Sequence, residues 1–292
     1  MARHSRPLTG QVVAITGGTR GIGHATAAAL VRRGARVAIG APDGERARRV
    51  AAELGDGVVG WPLDVTDAAS FAAFLDAVEE RLGPLDALVN NAGIMLIGPF
   101  ADEPPAAATR MVDVNLLGVI TGAKLALARF LPRGRGHLVN VASTAGKTGL
   151  PGGATYAATK FGVVGLTEAL RAELRGTGIA TTVVLPMPVR TELGAGLHPL
   201  RGMPPVAPEA VAEAIAAVLE RPRDEVYVPP RMGRIMRMAQ LLPRRTAEAV
   251  ARAMGTERVL AHADAAARAD YERRALAGAA AHAAGGEAAG GE

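Results

Sequence analysis

Tyr156 and Lys160 stand four residues apart in "YAATK", in a chain with three tyrosines and with only three lysines among its 33 lysine and arginine residues. One helical turn separates them, so on a helix their side chains share a face. A phenol titrates near about 10 and is a poor base at neutral pH. An ammonium within reach favours the phenolate and lowers that value, typically by ~1–3 units. The pair could then exchange a proton with an alcohol or a ketone. Arginine would supply the charge alone, whereas lysine can also join a proton relay. Ser143 closes the apolar run "HLVNVAS" upstream of the tyrosine. A hydroxyl at the carboxyl end of a buried strand faces the ligand crevice and can donate to an oxygen that is gaining charge; the alternative is a turn former in "STAG". Asn115, in "MVDVNLLG", lies inside an apolar helical pattern where asparagine has poor propensity. It either bonds its own helix backbone or serves a site.

Residues so far apart need a scaffold that gathers them. Short β-branched runs at 11–16, 36–40, 58–63, 87–90, 137–142, 180–185 and 225–228 read as strands. Most lack strict alternation, as expected of strands buried on both faces of a parallel sheet. Helical patterns fall between them at 22–33, 45–54, 67–82, 106–131, 156–175 and 208–219, with Thr66 or Asp67 as an N-cap. The alternation predicts an α/β fold with a doubly wound parallel sheet and right-handed crossovers.

Directly after the first strand comes "TGGTRGIG", Thr16–Gly23. Gly17, Gly21 and Gly23 permit a tight turn, and the helix N-terminus beyond them suits a pyrophosphate. The spacing differs from the common G-x-G-x-x-G, so the setting after strand one carries the dinucleotide reading; a glycine-rich connector is the alternative. At the end of the second strand, where a carboxylate would hold a ribose 2′-OH, stands Ala41, followed by Pro42. Asp43 lies past the proline and is expected to point elsewhere. Arg20 could pair with a 2′-phosphate. NADP(H) is therefore favoured, with NAD as the alternative.

Together "TGGTRGIG", "NNAG" (90–93), Asn115, Ser143 and "YAATK", in this order, resemble the short-chain dehydrogenase/reductase family over about residues 8–228. The resemblance implies a seven-stranded Rossmann sheet, a dimer or tetramer, and hydride transfer between nicotinamide and a carbonyl/alcohol pair. By the same resemblance Tyr156 is the general acid/base, Lys160 lowers its pKa and binds the nicotinamide ribose, Ser143 holds the reacting oxygen, and Asn115 organises a proton relay. The cofactor would lie along Gly17, Thr19, Arg20, Gly21, Ile22 and Gly23, with Asp64 and Val65 at the adenine. Asn91, Ala92 and Gly93 form a wall, and Pro186, Val189 and Thr191 lie near the carboxamide. One departure is Met187, where the family has glycine; it either flanks a substrate pocket or narrows the site.

Ile94, Met95, Leu150, Met187, Leu193 and Leu197 are apolar pocket candidates beneath a lid at 192–205, so a hydrophobic carbonyl is expected. The charge of +5 is spread out, with few aromatics, which argues against nucleic acid. Cysteine is absent, so there are neither disulfides nor thiolate metal sites, and no metal is expected. "MARHSRPLTG" lacks an apolar signal region, and a cytoplasmic location is expected. The domain boundary falls near 229. Beyond it, 229–275 reads as a basic amphipathic helical extension, and 276–292 as a disordered low-complexity tail. In the extension Met232, Ile235, Met236, Ala239 and Leu242 recur at helical spacing opposite arginines. Packing near the lid is favoured over peripheral membrane contact through 229–245, which would suit a reductase of lipid-like carbonyls. A non-catalytic nucleotide-sensing protein on the same fold is the remaining rival.

Overall fold

The computed structural model describes residues 6–261 and 263–287. Seven parallel strands, β1 (Val12–Thr16), β2 (Arg36–Ala41), β3 (Val58–Pro62), β4 (Ala87–Asn90), β5 (Gly136–Val141), β6 (Ile179–Pro186) and β7 (Glu225–Val228), form one sheet in the order β3-β2-β1-β4-β5-β6-β7. The strand order reverses direction between β1 and β4, which opens a crevice at their carboxyl ends.

Alternation along β1 divides the core in two. Val13 and Ile15 face one cluster with Leu30, Val50, Val211 and Ile215, from helices α1 (Gly21–Val31), α2 (Gly44–Leu54) and α7 (Pro208–Glu220). Val12 and Ala14 face the other, with Phe71, Phe74, Leu75, Ala126 and Phe130. These come from α3 (Ala68–Leu82) and from α5 (Gly118–Phe130), which follows α4 (Pro105–Val112). Both faces are covered by helices, which is why most strands lack strict alternation. Asp67 caps α3 by accepting from the N–H groups of Ala69 and Ser70.

The pattern at 106–131 is interrupted. Between α4 and α5 lies a π-helical turn, Asp113–Leu117. The extra residue shifts the helix face and turns Asn115 inward, fully buried. The helix α6 (Ala154–Glu173) carries Tyr156 and Lys160.

The extension comprises α8 (Pro230–Gln240), α9 (Arg244–Ala253), α10 (Thr256–Ala261) and α11 (Ala265–Glu287). In α8, Met232 is buried and Ile235 and Met236 pack on the cluster holding Leu185 and Tyr227. Met238 and Leu241 are exposed. The helix α11 continues to Glu287 where a disordered tail was expected from 276. Alanine, the strongest helix former, fills that stretch. Residues 288–292 of that tail lie outside the described residues.

Candidate active site

Threonine and asparagine side chains tie the first strand end to the fourth. Thr16 Oγ1 accepts from the N–H groups of Asn91 (3.0 Å) and Ala92 (2.9 Å). Asn91 Nδ2 returns bonds to the carbonyls of Thr16 (2.9 Å) and Gly17 (3.2 Å). This lock leaves no space at Gly23, where a Cβ would lie 2.3 Å from Gly17 O and 2.6 Å from Asn91 Nδ2. Gly17 and Gly21 have φ of +67° and +53°, which glycine adopts without strain. The following helix α1 has no side-chain cap and no acidic residue in its first turn. Its unpaired N–H groups therefore point at an uncrowded glycine cradle, which fits the pyrophosphate of a dinucleotide.

The cavity over this cradle measures about 640 Å³. Gly17, Thr19, Arg20, Gly21, Ile22, Asp64, Val65, Asn91, Ala92, Gly93, Pro186, Val189 and Thr191 line it, as do Ser143, Tyr156 and Lys160. Gly23 and Asn115 stand just behind the wall, Gly23 by its contact with Gly17 and Asn115 by its bonds to Ile94. All six apolar pocket candidates also line the cavity. Met187 lines it and is buried beside Met203, Tyr227 and Met232, so its side chain belongs to a packed apolar wall. His198 is exposed, with its N–H on Val259 O.

Asn115 bonds neither its own helix nor solvent. Its Oδ1 accepts from Ile94 N–H and its Nδ2 donates to Ile94 O, both at 2.8 Å, and to Thr159 Oγ1 at 3.2 Å. The amide thus clamps the loop after β4 to α6. A Cβ on Gly93 would lie 3.3 Å from Asn115 Oδ1 and 3.5 Å from Lys160 Nζ, so these groups converge on one glycine. Lys160 Nζ donates to Val141 O at 3.2 Å and lies 5.7 Å from the centroid of the Tyr156 ring.

The electrostatics depart from the expected direction. Burial pushes the Tyr156 phenol up to about 12, with Ser143 beside it pulling the other way and Tyr271 adding to the rise. Burial also brings Lys160 down to about 8. Desolvation penalises both charged forms, and the ammonium lies over the ring without offsetting it. Burial thus outweighs the neighbouring ammonium, and the Tyr156 phenol is raised, not lowered.

Arg20 is also placed differently. Its guanidinium pairs with Glu192 at 2.8 Å, and Arg274 reaches the same carboxylate at 3.0 Å. Burial pushes the Glu192 carboxyl up, but the two arginines outweigh it and hold it below its usual range. Asp43 spends its side chain capping α2, accepting from Arg46 N–H at 2.9 Å. Arg46, half-buried in the cavity wall beside Ala41, was not singled out from the sequence. Nor were Arg110, Val259, Leu260, Tyr271 and Arg274, which also line the cavity. The one available signal was a tyrosine and arginines at 268, 271 and 274, one helical turn apart, in an otherwise plain alanine-rich stretch.

The short chain dehydrogenase family model matches residues 11–200. The 2-(S)-hydroxypropyl-CoM dehydrogenase 3 of Xanthobacter autotrophicus is 40% identical over 215 residues, covering 73% of this chain and 83% of that protein. Among solved structures, a short chain dehydrogenase/reductase from Burkholderia phymatum in complex with NAD superposes with a TM-score of 0.74 at 25% identity. That match covers 80% of this chain and 94% of the other. An alcohol dehydrogenase from Thermococcus sibiricus complexed with 5-hydroxy-NADP gives 0.66 at 29% identity, covering 74% and 95%. With the glycine cradle, the buried tyrosine–lysine pair and the matched family in agreement, the chain belongs to the short-chain dehydrogenase/reductase family, nicotinamide-dependent oxidoreductases of the CH–OH/C=O pair.

Proposed function

We propose that the protein is an NADP(H)-preferring reductase or dehydrogenase of hydrophobic ketones and secondary alcohols. The observation that carries this reading is the pairing, in one cavity, of Tyr156, Ser143 and Lys160 with a wall of Leu150, Leu193, Leu197, Val259 and Leu260. The bound nicotinamide would supply or accept the hydride. Ser143 donates to the substrate oxygen and holds it at the Tyr156 hydroxyl. In the reducing direction Tyr156 gives its proton to that oxygen, a role that suits a phenol held protonated by burial. Lys160, which keeps its proton below about pH 8, stabilises the phenolate left behind. Asn115 fixes the β4 loop against α6 and so sets the distance between the proton donor and the cofactor wall.

The NADP(H) preference rests on two features at the end of β2. Ala41 offers no carboxylate, and Asp43 is engaged at the α2 N-terminus. Arg46 is the better partner for a 2′-phosphate than Arg20, which Glu192 already holds. Pairing of subunits through the π-turn, α5 and α6, where Leu117 and Phe161 are about half exposed, would give the dimer or tetramer expected. The test is fluorescence titration with NADPH and NADH, followed by turnover of a ketone series of rising apolar size. NADPH should bind more tightly and kcat/KM should rise with apolar size. Tighter NADH binding would defeat the cofactor preference, and no turnover of any ketone or alcohol would defeat the reaction.

A further inference from the structure

The family match ends at residue 200, yet α11 enters the cavity. Arg268 in that helix is buried, with a side chain only 2% exposed. A guanidinium is costly to bury unless its N–H groups find acceptors. Here Nη1 donates to Leu193 O (3.0 Å) and Ala195 O (2.9 Å), Nη2 to Met95 O (2.8 Å), and Nε to Glu272 (2.9 Å). One arginine thereby joins the lid, the loop after β4 and its own helix. Gly196, at φ +70°, lets the lid pass close beneath: a Cβ there would lie 2.8 Å from Asp264 O and 3.3 Å from Arg268 Cγ.

That clamp holds Tyr271, one turn further along. Its ring lies 5.3 Å from the Arg268 guanidinium carbon, and it is 6% exposed. Its hydroxyl oxygen accepts from Met95 N–H at 2.8 Å. The oxygen is therefore held in place, while its own proton has no acceptor among the described residues. Tyr271 lines the same cavity as Tyr156 and Ser143. It also lies near enough to Tyr156 to act on it electrostatically. Buried donors are rarely left without an acceptor, and here the cavity is where one would come from. The reacting oxygen already has two hydroxyl partners in Tyr156 and Ser143, so a third donor, held on a separate element, serves a different oxygen.

We propose that Tyr271 is a substrate-binding and specificity-determining residue that donates a hydrogen bond to a second oxygen of the substrate. The preferred substrate class is then a hydrophobic ketone or secondary alcohol with another oxygen function nearby, such as a keto ester or a diketone. This rests on the reading of the cavity as a carbonyl-reduction site. Losing one neutral hydrogen bond corresponds to ~3–10-fold in binding.

The test compares a keto ester with a plain ketone of equal carbon number, on wild type and Tyr271→Phe. Calorimetry on the full chain with NADP+ present reads the two dissociation constants, and steady-state assays read kcat/KM. The wild type should favour the keto ester, and Tyr271→Phe should lose ~3–10-fold more affinity for it than for the plain ketone, mainly through KM. Because the readout is a ratio within each protein, partial unfolding of the variant does not move it. An unchanged ratio would overturn the inference, and so would equal losses with a shifted pH profile, which would make Tyr271 a tuner of Tyr156. If binding discriminates as expected while neither ligand turns over, the inference stands and the reaction assignment is what fails.

Discussion

Replacing Lys160 by methionine measures what the buried ammonium costs the ligand-free protein. Lys160 is 5% exposed, and burial brings its pKa from 10.5 to about 8. A difference of that size between folded and unfolded chains corresponds to about 3 kcal/mol, at about 1.4 kcal/mol per unit. The unfolded chain keeps the proton up to about pH 10.5, whereas the folded chain releases it near 8. Below pH 8 the folded wild type therefore carries the whole penalty, and it gains stability as pH climbs from 8 to 10.5. Lys160→Met has no such dependence. The variant also loses the bond to Val141 O, leaving a carbonyl short of a partner at a cost of about 1–3 kcal/mol. That loss is nearly independent of pH, because a neutral amine still donates. The diagnostic quantity is thus the change in the stability difference with pH, not its value at one pH. Between pH 7 and 10 the wild type should gain about 2 kcal/mol on the variant. Tyr156 and Tyr227, both pushed up to about 12, weaken both proteins above pH 10 as the unfolded phenols ionise, which sets the upper limit of the window. Urea unfolding followed by the fluorescence of Trp61, the single tryptophan, supplies the numbers. A stability difference that stays flat from pH 7 to 10 would refute the burial argument.

Tyr156→Phe should lower kcat by orders of magnitude while NADPH affinity stays close to wild type, and retention of more than about a tenth of kcat would remove the tyrosine from the proton step. Ala41→Asp should shift preference toward NADH by repelling a 2′-phosphate, read as the ratio of the two dissociation constants; an unchanged ratio would place the phosphate elsewhere. Gly196→Ala meets both a positive φ and a 2.8 Å approach to Asp264 O. It should lower Tm and raise substrate KM more than cofactor Kd, at about 1–3 kcal/mol; a neutral outcome would mean the lid and α11 are not coupled.

How much of this could be read from residues alone follows the range of the interactions. The strands were legible because burial on both faces leaves β-branched runs such as "VVAIT" and "ATTVVL" without strict polar alternation. Asp67 was legible as a cap because its bonds close within three residues. The family and its reaction class were legible because Tyr156 and Lys160 share one helix turn and the glycine turn lies within one stretch of eight residues. Illegible features were of two kinds. One was a change of phase: the π-turn at Asp113–Leu117 inserts a residue into an apolar run whose composition reads the same either way. Only the bonds from Asn115 to Ile94, 21 residues away, show that the extra residue turns an amide toward the cofactor wall. The other was partnership over long separations. Arg20 looked free to meet a phosphate until Glu192, 172 residues on, was found holding it. The direction of the Tyr156 shift was missed for a related reason, since a pair's spacing gives the neighbouring charge but not the burial that outweighs it.

Arg268 and Tyr271 are the extreme case, bonding Met95 across 173 and 176 residues. The alanine-rich stretch around them matches what a solvated helix would carry, and only the spacing of Arg268, Tyr271 and Arg274 marks the face that turns inward. That has a consequence for how specificity is built in this protein. The residues within the matched region, 11–200, include Tyr156, Ser143, Lys160 and the glycine cradle. Part of the cavity wall is assembled past that region, from Val259, Leu260, Tyr271, Arg274 and Ala275. Arg268 and Tyr271 reach Met95, Leu193 and Ala195 through backbone carbonyls and N–H groups, which exist whatever side chains stand there, while Val259 and Leu260 pack in one cluster with Tyr156 itself. On the proposed function, part of the wall that meets the substrate therefore lies past the family's matched residues, while Tyr156 and Lys160 lie within them.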